Sequence, residues 1–217
     1  MAKGAVEPTG PTDEQVRLLL VLYRCPVPFH IVRTRILGSI ASPELDVSPI
    51  ETVKSLWGED LPEFKSAASV NELMEALVKG LWNRLARHQD RKVPFHLLRI
   101  DVPLDREGLG RLALVRREEL EGFMEGLFGH KEELDLPERA YRALDQLSEI
   151  REFLWTVEDV RFNALEPATQ AEITNTMGTL GTLTRIAEHE IHETVLSCVR
   201  ARRAKLRGLT ARNATLH

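Results

Sequence analysis

The stretch TQAEITNTMGTLGTLTRIAEHEIHETVLSCVRARRAKLRG, residues 169–208, decides the fold class of this chain. With each residue turned by about 100°, seven of its side chains fall within roughly 40° of one direction. They are Ile173, Met177, Leu180, Ala187, Ile191, Val195 and Cys198. Thr169 and Glu172 have the spacing of a capping box, and Gly208 is a natural stop. The pattern predicts a helix over residues 169–207, whose apolar stripe must be covered by other helices or by a second copy of the chain.

The composition of the whole chain favours helices as well. The 217 residues are 43% hydrophobic and only 6% aromatic, and Leu, Ala, Glu and Arg are prominent. Straight-chain residues lose little rotamer freedom in a helix, and the sequence shows no strand–helix alternation. We therefore predict an all-α fold, an irregular multi-helix bundle with a long C-terminal helix.

Further helix starts divide the chain into segments. Thr12 and Gln15 form a second capping box, and Ser48 is followed by proline at the first helical position of a helix that stops at Gly58. A box at Ser69–Glu72 predicts a third helix start, and later helices are expected over residues 118–128 and 137–154.

Residues 92–117 are predicted to form one long ordered connection, either a lid or a plain connector. Its two short apolar pieces, residues 97–102 and 112–115, each have the length of a short strand. We predict one domain over residues 12–207, with an N-terminal half to about residue 91 and a C-terminal half from about residue 118. Residues 1–11 and 208–217 are predicted to be flexible tails.

The sequence also suggests a compartment. Cys25 and Cys198 are too few and too far apart for a disulfide framework, so we expect two buried free thiols in a reducing environment. No signal-peptide pattern is present, and the apolar run at residues 18–23 is too short to span a bilayer. We therefore expect a cytoplasmic protein without a membrane partner.

Basic residues are concentrated at the C-terminal end. Residues 200–217 contain six basic residues and no acid, which leaves −10 on the rest of a chain whose net charge is −4. One hypothesis is a polyanion or RNA contact, through Arg200, Arg202, Arg203, Lys205 and Arg207. The favoured alternative is stabilisation of a helix C-terminus by cations, because no aromatic residue follows Arg200 and the acidic body would repel nucleic acid.

A histidine–glutamate cluster suggests a metal site at first sight. Glu188, His189, His192 and Glu193 lie close in sequence, but the two histidines are three residues apart, whereas zinc metalloproteases use a spacing of four. With Ile191 as the buried direction, His189 is expected to face water and His192 to lie at the boundary. We therefore interpret the cluster as a solvated polar face and expect no cofactor. These four residues remain weak metal-ligand candidates, and a metal-dependent enzyme that uses His189, His192 and a distant carboxylate is kept as an alternative.

Other candidate residues receive structural interpretations. The carboxylates at positions 118, 119, 121 and 125 are predicted to form a solvated helix face, because nothing apolar isolates them. Trp57, Trp82 and Trp155 lie among apolar neighbours and are expected in the core or in an interface, whereas an exposed tryptophan would suggest a partner groove.

A series of landmarks resembles the YecA/YgfB-like family of mostly uncharacterised bacterial proteins. ILGSIASP at residues 36–43 is followed by VSP at 47–49, LWGED at 56–60, PEF at 62–64, WN at 82–83 and EGFMEG at 121–126. The residues that carry the likeness are Gly38, Pro43, Pro49, Trp57, Gly58, Phe64, Trp82, Asn83, Gly122 and Phe123.

The resemblance implies an all-α bundle, with dimerisation as an option and no known enzymology. Many family members end in a cysteine-rich, zinc-binding module that is linked to translation and secretion. Since this chain carries no such cysteines, we expect neither the zinc nor the partners of that module.

These observations lead to one functional hypothesis and two alternatives. The leading hypothesis is a protein-interaction or regulatory module without catalysis, which works through an unidentified protein partner or as a homodimer. The alternatives are the metal-dependent enzyme at His189 and His192 and RNA binding through the basic tail, with nucleic acid the less expected partner.

Overall fold

The computed structural model describes residues 10–58, 61–163 and 169–214. Residues 1–9 and 215–217 of the predicted tails, and residues 59–60 of the family likeness, lie outside the described residues. The helices are α1 (Asp13–Leu22), α2 (Phe29–Ala41), α3 (Pro49–Ser55), α4 (Ala67–Met74), α5 (Asn83–Ala86), α6 (Arg106–Phe128), α7 (Glu138–Asn163) and α8 (Gln170–Ala214). A π-helical segment, Glu75–Trp82, joins α4 to α5, and a 3₁₀ turn, Arg87–Gln89, follows α5. No strand occurs among these residues, so the all-α prediction is confirmed.

Most of the predicted helix starts are confirmed. The Thr12 hydroxyl accepts a hydrogen bond from the Gln15 amide at 3.3 Å, and the Gln15 side chain accepts one from the Thr12 amide at 2.8 Å. Ser48 caps α3 in the same way, and Thr169 caps α8. The predicted start at Ser69 is wrong by one turn. Ser66 is the cap, and its hydroxyl accepts from the Ser69 amide at 3.3 Å.

The long connection is shorter than the sequence predicts. Residues 92–105 contain no helix or strand, but α6 already begins at Arg106. The helix predicted over residues 118–128 is therefore confirmed, but it begins 12 residues earlier than predicted, and the possible strand at 112–115 is wrong. Asp105 caps α6 by accepting a hydrogen bond from the Gly108 amide at 2.7 Å. A Cβ at Gly108 would collide with the Pro103 carbonyl. This glycine therefore allows close packing inside a helix and does not break it.

The C-terminal helix is longer than predicted. It continues through Gly208 to Ala214, so the predicted stop is wrong. A glycine inside a helix costs about 1 kcal/mol relative to alanine, which is too little to end a helix whose neighbouring residues are strong helix formers. The predicted apolar stripe is confirmed: six of its seven side chains are buried and Met177 is half-buried. The stripe packs against α7, α6 and α2.

Helix α2 lies at the centre of the bundle. Its C-terminal half is buried from Ile36 to Ala41, and its closest neighbour is α6. The Ser39 hydroxyl donates a hydrogen bond to the Gly126 carbonyl of α6 at 3.2 Å. One buried cluster extends from Val16 in α1 to Val199 in α8 and joins the two predicted halves. No helix in the described part of the chain is long and apolar enough to cross a membrane.

Candidate functional site

The structure does not bring the histidine–glutamate cluster together as a metal site. His189 is exposed, as predicted. Glu188 points to the connection instead, where its carboxylate accepts a hydrogen bond from the Leu97 amide at 2.9 Å and pairs with His96 at 2.9 Å. Glu193 lies 3.6 Å from the Arg139 guanidinium of α7. In the described residues, no group of three or more His, Cys, Asp or Glu side chains is placed to hold a metal ion.

His192 differs from its predicted boundary position. Its side chain is buried, because the 3₁₀ turn packs over this side of α8. Both ring nitrogens are buried, and the backbone of Arg91, which acts on the ring, lies outside ordinary hydrogen-bond geometry. Burial lowers the pKa of His192, and the neighbouring His189 and His96 add to this effect, while the Arg91 backbone and Glu193 oppose it.

Glu190 is a buried acid that the sequence did not single out. Its carboxylate is 2.6 Å from the Arg139 guanidinium, and the pair joins α7 to α8. Glu190 and His192 lie about 100° to either side of Ile191 on the helical wheel. The helical wheel therefore places both residues at the edge of the buried face of α8. Glu190 is buried because α7 packs over it, which the wheel does not predict.

Three of the four glutamates that the sequence places on one face of α6 form pairs with basic side chains. Glu118 pairs with His30 at 2.7 Å, Glu121 pairs with Arg117 at 2.9 Å, and Glu125 pairs with Arg35. Glu119 contradicts the predicted solvated face, because it is fully buried and bonded to Arg116. Burial raises the pKa of Glu119, against the opposing effects of Arg116 and of the Leu98 amide. This arrangement holds the 92–105 connection on α6.

The cysteines are not placed as nucleophiles. Cys198 is fully buried, and burial raises its pKa to about 12, so the sulfur is a neutral thiol at neutral pH. Cys25 is half-buried rather than buried, and burial raises its pKa too. Its sulfur lies 3.7 Å from the Leu56 carbonyl.

The tryptophans differ in exposure. Trp57 and Trp82 are half-buried against the core, and the Trp57 indole donates a hydrogen bond to the Tyr23 carbonyl at 2.9 Å. Trp155 is 61% exposed, so it does not lie in the core, and the interface position predicted as the other option stays a prediction. The Arg117 guanidinium lies 5.0 Å from the centre of its indole ring. This cation–π contact stabilises an exposed ring on the outer face of α7.

A groove with an apolar lining lies beside α1, and we call it the α1 groove. Its volume is about 1130 Å³, and its apolar lining residues include Leu18, Leu19, Ile50, Ala68, Met74 and Val78. Leu18 is 61% exposed, and the apolar face of α1 continues beyond the groove in Val21 and Leu22, which are 77% and 65% exposed. Large apolar patches on a folded protein commonly mark binding surfaces.

A second groove contains most of the basic residues that the sequence singled out, and we call it the arginine groove. It has a volume of about 600 Å³. One wall carries Arg87 and Arg91, from the 3₁₀ turn and the residues after it, and the other is α8. The α8 wall contributes Arg200, Arg203 and Arg207. The one acidic residue of the lining is Asp90, whose carboxylate also accepts a hydrogen bond from the Lys92 amide at 2.9 Å.

The two remaining basic candidates have structural contacts. Arg202 donates a hydrogen bond to the Ser42 carbonyl at 3.0 Å, and Lys205 lies 3.4 Å from the Asp135 carboxylate. They hold α8 to the turn after α2 and to the turn before α7. Of the five basic residues predicted as a polyanion contact, three therefore line the arginine groove, and the other two bond to neighbouring parts of the protein.

Comparison with known proteins gives no relative for this arrangement. No protein-family model, no curated protein and no solved structure matches the chain.

Proposed function

We propose that this chain is a helical protein-interaction module without catalysis, which binds an amphipathic helix of a partner protein in the α1 groove. The observation that carries the proposal is the exposed face of α1, where Leu18, Val21 and Leu22 occupy one side of the helix. Leu18 itself lines a groove of about 1130 Å³, whose lining includes further apolar side chains from α3 and α4. Apolar side chains one turn apart, laid into such a groove, are a recurrent mode of helix recognition.

Charge favours a partner helix with basic residues beside its apolar face. Glu72 and Glu75 line the α1 groove, and Glu14 lies one helical turn before Leu18. The basic lining residue, Lys79, pairs with Glu75 at 2.7 Å, so the negative charge offered to a partner comes from Glu72 and Glu14. The surrounding body of the protein carries most of the negative charge of the chain, and opposite charge speeds encounter and selects the partner.

Synthetic peptides test this proposal. We expect a labelled amphipathic peptide of leucine and lysine to bind, and the same peptide with glutamine in place of leucine not to bind, in fluorescence anisotropy titrations. Leu18→Glu should weaken binding by at least about tenfold, because it places a charge in the apolar lining. Leu104→Glu is the matched control, since Leu104 is also about half exposed, at 49%, but lies outside the groove.

Three results would overturn the proposal. The first is equal binding of both peptides, and the second is an equal loss in both variants. The third is a homodimer, seen by sedimentation, that Leu18→Glu converts to monomers, because a second copy would then occupy the groove.

We also propose that the chain is a bacterial, cytoplasmic member of the YecA/YgfB-like family. The landmarks support the family, since Gly38, Gly122 and Phe123 meet at the contact between α2 and α6. The pair of free cysteines supports a reducing compartment. A search of bacterial genomes for other proteins with the same landmark residues tests the family assignment. It would be refuted if proteins with the same order of helices lacked these landmarks.

A further inference from the structure

We propose that the arginine groove binds an acidic segment of a partner protein through its carboxylates. This inference concerns a surface other than the α1 groove and does not rest on the function proposed for that groove. It starts from the convergence of residues that are more than 100 positions apart in the sequence, Arg87 and Arg91 on one wall and α8 on the other.

The arginines of the groove have charges that the fold does not neutralise. All five are exposed, and no carboxylate of the described residues pairs with Arg87, Arg91, Arg200 or Arg203. By contrast, the arginines of α6 and α7, such as Arg116, Arg117 and Arg139, are bonded to glutamates. Like charges held in one groove repel each other by up to about 1 kcal/mol per close pair in water. An anion in the groove removes this repulsion.

Stabilisation of the helix end does not account for these residues. The attraction of cations to the C-terminus of a helix is confined to its last turn. Because α8 continues to Ala214, Arg203 lies about three turns before the end and Arg200 about four. Their position is therefore better explained by the groove than by the helix dipole.

The lining fits carboxylate side chains. Guanidinium groups are planar forks that bind carboxylates through two parallel hydrogen bonds. Between them, the groove is lined by Ala86, Leu196 and Val199, an apolar floor for the methylene groups of glutamate. A volume of about 600 Å³ is within the range of sites that hold a drug-sized ligand or a few residues of a peptide.

The same features disfavour nucleic acid. Proteins that bind single strands stack bases on aromatic rings along a positively charged track, and the lining contains no aromatic residue. The residues before Arg200 together carry −10. A short acidic peptide that fits inside the groove stays clear of this negative charge, whereas a long polyanion would extend over it and be repelled.

Binding of a labelled oligoglutamate peptide, measured by fluorescence anisotropy, tests the inference. We expect oligoglutamate to bind, oligoglutamine not to bind, and the affinity to fall with added salt, because exposed charges are screened. The double variant Arg87→Gln/Arg203→Gln removes one cation from each wall and should weaken binding at least about tenfold. Arg99→Gln/Arg111→Gln removes the same charge from exposed positions outside the groove and should leave affinity within about twofold.

The outcomes that overturn the inference are specific. A labelled oligouridylate that binds more tightly than oligoglutamate, with the same loss in the groove variant, would assign the groove to nucleic acid. Equal weakening by both double variants would mean that net charge alone drives binding. Unchanged thermal melting of the variants excludes misfolding as the cause of a loss. Leu18→Glu should leave oligoglutamate binding unchanged, so failure of one proposed surface is distinguishable from failure of the other.

Discussion

At the scale of single residues, His192 is the side chain whose environment has the clearest consequence. It is only 7% exposed, and both of its ring nitrogens are buried. His88, His96, His189 and the Arg91 backbone lie near it, with Glu193 as the nearby acid. The neutral ring is therefore the form that the fold accommodates.

The lowered pKa of His192 predicts a loss of stability in acid. In the unfolded chain a histidine has a pKa of about 6.5, whereas burial lowers the pKa of His192 in the folded protein. As the pH falls, the unfolded state binds the proton first, so stability is complete above about pH 6.5 and decreases as the pH falls towards the folded pKa. The pKa of His88 is also lowered by burial, and it contributes in the same direction.

His192→Leu should reduce this acid sensitivity. We expect the free energy of unfolding at pH 7, from urea titrations followed by circular dichroism, to stay within about 1 kcal/mol of the wild type. Its decrease between about pH 7 and pH 5 should be smaller, because one proton-binding site is lost. His130→Leu is the control, since His130 is exposed and is not among the groups that act on the pKa of His192. A wild-type slope in His192→Leu would show that this side chain is not a source of the acid sensitivity.

At the scale of elements, the contact between α2 and α6 depends on glycines. A Cβ at Gly38 would collide with the backbone of Phe123 and Leu127, and one at Gly126 with the backbone of Arg35. Because the colliding atoms are main-chain atoms, a side-chain rotation cannot relieve the overlap. The two helices are close enough for Ser39 to bond to the Gly126 carbonyl for the same reason.

The same substitution should have opposite effects at two glycines. Gly126→Ala is expected to lower the free energy of unfolding by about 1–3 kcal/mol, since overpacking forces the helices apart. Gly178→Ala should raise it by about 0.5–1 kcal/mol, because this glycine lies in α8 with no atom within 4 Å of a new Cβ. Urea titrations of both variants provide the measurement. A stabilised Gly126→Ala protein would contradict the close contact.

The sequence predicts those parts of the elements that local chemistry controls. The caps at Thr12, Ser48 and Thr169 were predicted correctly because donor and acceptor lie within three residues of each other. The buried stripe of α8 was predicted because its period is that of the helix itself. Gly208 was misinterpreted as a stop, since a single sequence does not show whether a glycine ends a helix or lies inside it.

The candidate sites depended on contacts that a single sequence does not contain. Burial of Glu119 requires Arg116 together with the Leu98 amide from the connection. The arginine groove requires Arg87 and Arg91 to lie against α8. The sequence indicated the basic half of that groove correctly, but it gave no signal for the other wall.

At the scale of the whole molecule, the two predicted halves share one core. The buried cluster includes residues from α1 to α8, and α2 packs between its own half and α6. Polar contacts at the surface also join the two halves. Arg202 of α8 donates a hydrogen bond to the Ser42 carbonyl, and Lys131 forms an ion pair with Glu44. Neither half covers its apolar face when the other is removed.

We therefore expect one cooperative unfolding transition, reported equally by probes in both halves. Trp57 is the N-terminal probe, read by fluorescence in a variant with Trp82→Phe and Trp155→Phe. Cys198 is the C-terminal probe in a Cys25→Ser variant, since its fully buried thiol reacts with a labelling reagent only after unfolding. Both probes should give the urea midpoint that circular dichroism gives, as two-state unfolding requires. Labelling of Cys198 at a lower urea concentration than the Trp57 transition would instead mean that α8 detaches first, and the shared core would then not couple the two halves.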